Sequence, residues 1–254
     1  MKLTILAATG GIGRQLLAQA LAAGHDVTAV VRNPAGLSDT TGRAPAAQTA
    51  RAAQTARAAQ TARVVQGVRV VQGVRVVQAD LAAAEPAALR TAIADADAVL
   101  SALGPRSGAE AGVAWRGTRS VAAAMREVGV QRLIVVSAAP IGTVPSPARP
   151  EPPRHDPGDG FFMRHLGAPL TRAALRRHYA DLAQMEDVVR ASGLDWTIVR
   201  PPRLTDKPLT RDYRTAYGRN VRRGLSVARA DVAHCMLGLL DRPESVHRTV
   251  GVAN

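Results

Sequence analysis

The sequence predicts an α/β fold, a doubly wound, mostly parallel sheet with helices on both faces. Three observations carry that expectation. Short apolar runs alternate with segments of helical period along most of the 254 residues. A turn of small residues, Ala7-Ala-Thr-Gly-Gly-Ile-Gly13, joins the first apolar run to the first helical segment. Hydrophobic residues make up 46% of the chain and aromatics 3%, so the core of one such domain, spanning 1–254, has to be built from Ala, Val, Leu and Ile.

The elements follow in order. Residues 2–8, KLTILAA, read as a buried strand. Residues 10–24 read as a helix, with Ile12, Leu16, Leu17, Ala20 and Leu21 at helical spacing and Gly24 as a stop. A second strand is expected over 26–32, DVTAVVR. Pro86 sits in the first turn of a helix over 85–96. A strand over 97–103, a helix over 112–130 and a strand over 131–138 come next. Residues 139 to about 170 form a loop region, with seven prolines from Pro140 to Pro157. A long helix over 170–193, a strand over 195–202, a helix within 226–243 and a last strand over 247–254 complete the chain.

Between the second strand and the helix at 85 lie two repeats. AAQTAR occurs three times over 46–63, and a Val-rich unit three times over 63–80, both with a period of six residues. A hexapeptide solenoid needs many more turns. The last Val-rich copy, Val74 to Gln78, is expected to be the third strand of the fold, at the sheet edge, leading to Asp80. An insertion over about 37–73 remains, with 37–63 an exposed Ala-rich helix or disordered. An arginine every six residues steps by about 240° round a helix, so no basic face forms. Because six is even, slipping this strand by one repeat keeps each side chain on its own face.

The formal charge is +13. Among the 33 basic residues only Lys2 and Lys207 are lysines, and the arginines are scattered and seldom sit beside aromatics. Nucleic-acid binding is therefore not expected as the main role. The single cysteine, Cys235, excludes an internal disulfide, lies in an apolar run and reads as a core residue of a cytoplasmic protein. No run of about 18 apolar residues predicts a membrane span, and the first residues do not read as a signal peptide. His155, Asp156 and His165 match no compact ligand spacing, so no metal site is expected.

The turn Ala7–Gly13 carries the functional signal. Small residues between a strand and a helix allow close backbone approach to a pyrophosphate, and the helix N-terminus offers free N–H groups to it. The second strand ends on Arg32 and Asn33 rather than on a carboxylate. A carboxylate there would accept from a ribose 2′-hydroxyl, whereas an arginine suits a 2′-phosphate, so NADP(H) is expected in preference to NAD(H). Arg14 reads either as a second contact in that pocket or as a solvated helix residue.

These segments, together with VVQADL, VLSALG, RLIVVSA, SGLDWTIVRPPRLTD and ARADVAHCML, resemble in content and order the atypical short-chain dehydrogenase/reductases. The similar branch is the NmrA-like, NAD(P)H-binding one that includes biliverdin reductase B and NADH-flavin-reductase-like proteins. The likeness covers most of the chain apart from about 37–63 and the Pro-rich loop. It implies a Rossmann-type domain in which Thr9, Gly10, Ile12 and Gly13 line the pyrophosphate and Arg32 meets the adenosine phosphate. It implies that Asp80 and Leu81 flank the adenine and that Ala102, Leu103 and Gly104 lie along the cofactor. Ser137, Ala138, Pro201 and Pro202 would stand near the nicotinamide.

Two departures stand out. The first glycine of the family's turn is Ala7 here. The Tyr-x-x-x-Lys pair of catalytic superfamily members is missing, since four residues after Tyr179 comes Ala183. A tyrosine of unperturbed pKa, about 10, is a poor acid at neutral pH. Ser137 is left as the candidate catalytic residue, donating to an acceptor carbonyl, beside the equally open reading of a strand-end hydroxyl bonded to backbone. Phe161 and Phe162 either stack on a planar acceptor or anchor their loop. The leading expectation is NADPH-dependent reduction of a flavin, quinone or similar small planar acceptor. Behind it come an NmrA-like dinucleotide sensor without catalysis and, last, a sugar-nucleotide epimerase. The sequence specifies neither the acceptor nor an oligomeric state.

Overall fold

Seven parallel strands run side by side with their carboxyl ends on one edge, and an antiparallel strand closes each side. The computed structural model describes residues 1–37, 68–71, 74–81, 83, 86–105, 110–158 and 175–254. In chain order the strands are β1 (Lys2–Leu6), β2 (Asp26–Val31), β3 (Val68–Val71), β4 (Val74–Gln78), β5 (Ala98–Ser101), β6 (Arg132–Val136), β7 (Asp195–Arg200), β8 (Arg203–Thr205), β9 (Arg214–Tyr217), β10 (Ser226–Ala228) and β11 (Arg248–Ala253). The helices are α1 (Gly11–Ala22), α2 (Pro86–Ile93), α3 (Val113–Val128), α4 (Arg176–Arg190) and α5 (Arg229–Gly238). The sheet order is β3-β4-β2-β1-β5-β6-β7-β11-β9, and β8 pairs with β10 separately.

The seven parallel strands are largely buried on both faces, which is why they read as continuous apolar runs. Leu3 and Ile5 of β1 join Leu16, Leu17, Val232 and Met236 in a core beneath α1 and α5. Leu6 of the same strand points the other way, into a core with Leu89, Val121, Met125, Leu182 and Met185 beneath α2, α3 and α4. Two apolar layers on opposite faces of one sheet are the doubly wound arrangement the sequence predicts. Cys235 is buried in the first layer, and burial pushes its thiol up to about 12. Among the described residues no helix is long and apolar enough to cross a membrane.

The repeat region departs from expectation in one respect. Val74–Gln78 does pair with β2, Thr28 opposite Arg75 and Val31 opposite Gln78. It is not the edge. The preceding copy, Val68–Val71, pairs antiparallel with it, Val68 opposite Val77 and Val71 opposite Val74, and takes the edge itself. Residues 68–71, within the span read as an insertion, therefore belong to the sheet. The reason is physical: two adjacent copies of one Val-rich strand share β propensity and face pattern, so the surplus copy caps the exposed edge of the other. Residues 38–63, expected as exposed helix or disorder, lie outside the described residues.

Three further strands, β8, β9 and β10, are not evident in the sequence. Residues 226–228, within the span expected to hold a helix, form β10 beside β8, and β9 closes the sheet against β11. One helix start is made by a remote side chain. Gly112 N, Ala114 N and Trp115 N all donate to the buried carboxylate of Asp181 on α4, at 2.8–3.1 Å, so α4 caps α3.

Candidate functional site

The strand order reverses between β1 and β5, so the loops leaving their carboxyl ends diverge to opposite faces and open a crevice there. The turn 7–10 enters this crevice directly from β1. Gly10 N donates to Ala7 O at 2.8 Å, closing the turn, and Arg14 N donates to Gly10 O at 2.8 Å, starting α1. No side chain caps α1 and its first turn holds no acidic residue. Helix geometry leaves the N–H groups of Gly11, Ile12 and Gly13 without intrahelical acceptors, at the positive end of the macrodipole.

The turn residues divide their work. The side chain of Ile12 lies in the α1/α5 core, so only its backbone faces outward. Gly13 serves the packing of the helix on its own turn, since a Cβ there would fall 2.2 Å from Ala7 O. Thr9 and Gly10 form the turn itself. Gly11 is covered by Arg229 of α5, whose Cδ would lie 2.7 Å from a Cβ at that position. Arg229 is in turn held by Asp206 at 2.6 Å. Nothing in the local sequence around Gly11 signals this arginine, which reaches it from the far end of the chain.

On the β2 side of the crevice, Arg32 directly follows the strand, with its side chain 58% exposed. Gln78 Nε2 donates to its carbonyl at 3.2 Å, and its guanidinium donates to Glu110 Oε1 at 3.0 Å. Glu110 went unread as a site residue because it lies far from Arg32 in sequence. Arg14 resolves into a tether: its guanidinium donates to Gly36 O at 3.3 Å, while its Nε is buried with no acceptor. Asp80 follows β4 and is partly exposed, whereas Leu81 is buried. Leu81 and Leu103 both rest on Gly117 of α3, where a Cβ would lie 2.5 Å from Leu103 Cδ2 and 3.2 Å from Leu81 O. Ala102, Leu103 and Gly104 leave β5 partly exposed.

At the other end of the crevice Ser137 is only 5% exposed. Its N–H donates to Val199 O at 2.8 Å, and its hydroxyl donates to Glu186 Oε1 at 2.6 Å. The hydroxyl read as a donor to an acceptor carbonyl thus meets a buried carboxylate in this structure. The alternative partner, backbone, is replaced by a side chain. Glu186 of α4 also receives Arg200 Nε at 2.8 Å, a second bond from Arg200 Nη2, and Arg190 Nη2 at 2.8 Å. Burial alone would push the Glu186 carboxyl up. The charges and hydrogen bonds of Arg200, with Arg190 and Ser137, outweigh burial and hold it below its usual value.

Pro201 is buried, and its carbonyl accepts from Ala139 N at 2.8 Å. Tyr179 is buried. The Pro-rich segment starts at the carboxyl end of β6 and is pinned to α4, Ser146 Oγ donating to Asp187 Oδ1 at 2.9 Å and Ala148 N to Asp187 Oδ2 at 3.0 Å. Phe161, Phe162 and His165 lie outside the described residues.

A family model described as NAD(P)H-binding matches residues 7–72 and 69–243. The chain belongs to this NAD(P)H-binding family. Over 95 residues it is 34% identical to a UPF0659-family protein of Schizosaccharomyces pombe, a match that spans 37% of this chain and 36% of that protein's own length. Solved structures share the fold. The oxidoreductase ylbE of Lactococcus lactis superposes with a TM-score of 0.68 at 19% identity, covering 100% of this chain and 91% of the other. A short-chain dehydrogenase/reductase of Veillonella parvula in complex with NADP gives 0.66 at 19% identity, covering 100% and 94%. The anaerobilin reductase ChuY of Escherichia coli gives 0.64 at 22% identity, covering 99% and 97%.

The residues of an NAD(P)H-binding crevice fit such a cofactor on the geometry alone. The first turn of α1 has open N–H groups and no internal anion, Gly13 has no room for a side chain against Ala7 O and Gly10 little, and Arg14 Nε is a buried donor without an acceptor. The departure at Ala7 has a measurable cost. Ala7 adopts φ 56°, the left-handed region that favours glycine. Replacing Ala7 with glycine relieves about 1–2 kcal/mol of backbone strain against about 0.4–1 kcal/mol of unfolded-state entropy. Thermal unfolding should therefore show Ala7→Gly slightly more stable than wild type, and a destabilised variant would show that the methyl packs usefully.

Proposed function

We propose that the protein is an NADPH-dependent reductase of a flavin, quinone or similar small planar acceptor, an atypical short-chain dehydrogenase/reductase of the NmrA-like kind. The observation that carries this reading is the pairing of an uncapped, glycine-lined helix N-terminus with an exposed guanidinium, Arg32, at the end of the neighbouring strand. The first suits a pyrophosphate and the second a 2′-phosphate. When bound, the reduced nicotinamide supplies the hydride, and the chain has only to hold and orient it.

The choice of acceptor follows from what the described residues offer. Ser137 gives its proton to Glu186, Tyr179 is buried, and the lysines are Lys2 and Lys207. Neither lysine is part of the crevice described above. Acceptors that take their proton from solvent, such as flavins and quinones, fit this inventory, and alcohol–carbonyl chemistry fits it poorly. The same commitment of Ser137 favours, as a second reading, a dinucleotide sensor without catalysis. The Pro-rich segment at the carboxyl end of β6 and the buried Pro201 beside it supply the wall an acceptor would meet.

The expected result is loss of NADPH absorbance when FMN or a simple quinone is added, with NADPH used well above NADH. Tight NADPH binding without turnover on any acceptor transfers the reading to the sensor. Failure to bind either dinucleotide overturns both.

A further inference from the structure

We infer that Glu110 sets the choice between NADP(H) and NAD(H), by placing at the adenosine end of the crevice the carboxylate that the end of β2 lacks. The inference rests on the reading that this crevice holds the adenosine half of the dinucleotide.

The geometry is specific. Arg32 leaves β2, and Glu110 lies just ahead of α3 in the connection that follows β5. Between β2 and β5 in the sheet stands β1, whose carboxyl end carries the turn 7–10. The Arg32–Glu110 pair therefore bridges the crevice above the strand that feeds the phosphate turn. It is a single contact, Nη1 to Oε1 at 3.0 Å, with Arg32 58% and Glu110 25% exposed. More than half of the Arg32 side chain stays exposed to solvent.

Such a pair contributes little to stability, since exposed ion pairs seldom exceed about 1 kcal/mol. Its consequence is for ligands. A 2′-phosphate approaching Arg32 meets a negative charge already on that guanidinium, so the two anions compete and repel. A 2′-hydroxyl meets instead a carboxylate able to accept its proton, the role an acidic residue at the end of the second strand plays in dinucleotide sites. The chain thus carries the determinants for both cofactors on two elements: arginine from β2 favours the phosphate, and glutamate from the α3 side restrains that preference. Coulomb attraction and repulsion between partly exposed charges at hydrogen-bond range correspond to about fivefold to tenfold in affinity.

The test is titration of the full chain with NADPH and with NADH, each followed by the fluorescence of the reduced nicotinamide, for wild type, Glu110→Gln and Arg32→Gln. Glutamine keeps the shape of the side chain and a hydrogen-bond acceptor while removing the charge. Expected is an NADPH-over-NADH affinity ratio raised about fivefold to tenfold in Glu110→Gln, narrowing at high salt. Arg32→Gln should lower the same ratio. A Glu110→Gln ratio within about twofold of wild type, or a lowered one, while Arg32→Gln still lowers it, overturns the role of Glu110 and leaves the NADPH reading standing. If neither substitution moves the ratio, Arg32 does not meet a 2′-phosphate and both readings fall. Absence of binding by the wild type does the same.

Discussion

Glu186→Ala should lower the unfolding free energy by about 3–5 kcal/mol, the usual cost of removing one partner from a buried ion pair. The carboxylate is fully buried and receives Arg200 twice, Arg190 once and the Ser137 hydroxyl. Arg200 is itself buried, so alanine leaves a guanidinium without its counter-charge in the interior, and that penalty exceeds the lost hydrogen bonds. Asp156 adds a smaller attraction to Arg200 and does not replace Glu186.

The pH dependence gives the same network a second signature. The Glu186 carboxyl titrates below its ordinary value of 4.5 in the folded protein. The unfolded chain therefore binds the proton first as pH falls, and the stabilisation is present above the unfolded value and lost below it. Urea unfolding at neutral pH should separate wild type from Glu186→Ala widely, and the gap should shrink as pH drops below about 4.5. A gap below about 1 kcal/mol at neutral pH, or one that stays constant into acid, would sink this account.

That network marks where the sequence stopped being legible. Strands and helices could be placed because each is a short continuous apolar run or a segment of period 3.6, punctuated by Gly, Pro or a charge. The turn 7–10 could be placed because its signal is local: small residues between a strand and a helix. Glu186 could not, because in HYADLAQMEDVV it reads as one more polar position on an amphipathic helix. The available signal was its partner. Arg200 ends a strand buried on both faces, and a buried arginine requires a carboxylate somewhere. Glu110 and Arg229 escaped for the same reason, each acting on a residue remote in sequence. The hairpin of Val68–Val71 with Val74–Gln78 escaped for a different one. Identical copies carry no information about which of them pairs, and only the fold's need for a covered edge decides it.

Gly13→Ala should be the most damaging single change in the phosphate turn, and the cause is steric. A Cβ at residue 13 would fall 2.2 Å from Ala7 O and 2.9 Å from Ala7 C and Ala8 Cα, all of them backbone atoms with no rotamer to move. Alanine gains about 1 kcal/mol of helix propensity over glycine, but an overlap of this depth forces the start of α1 away from β1, and overpacking of that kind costs about 1–3 kcal/mol or more. The displacement moves the N–H groups of residues 11–13 together with Gly10, so NADPH affinity should fall by more than about tenfold, because hydrogen bonds to an ionised group are steep in distance and angle. Gly11→Ala supplies the contrast. There the intruding methyl meets only the flexible side chain of Arg229, at 2.7–2.8 Å, and that chain can swing aside. Unfolding should place Gly11→Ala within about 1 kcal/mol of wild type, and nicotinamide fluorescence should show it still binding NADPH. Equal behaviour of the two variants would mean that the close approach of Gly13 to Ala7 and Ala8 is not what holds the turn in shape. Loss of binding in Gly13→Ala alone would tie the cofactor site to that one backbone approach.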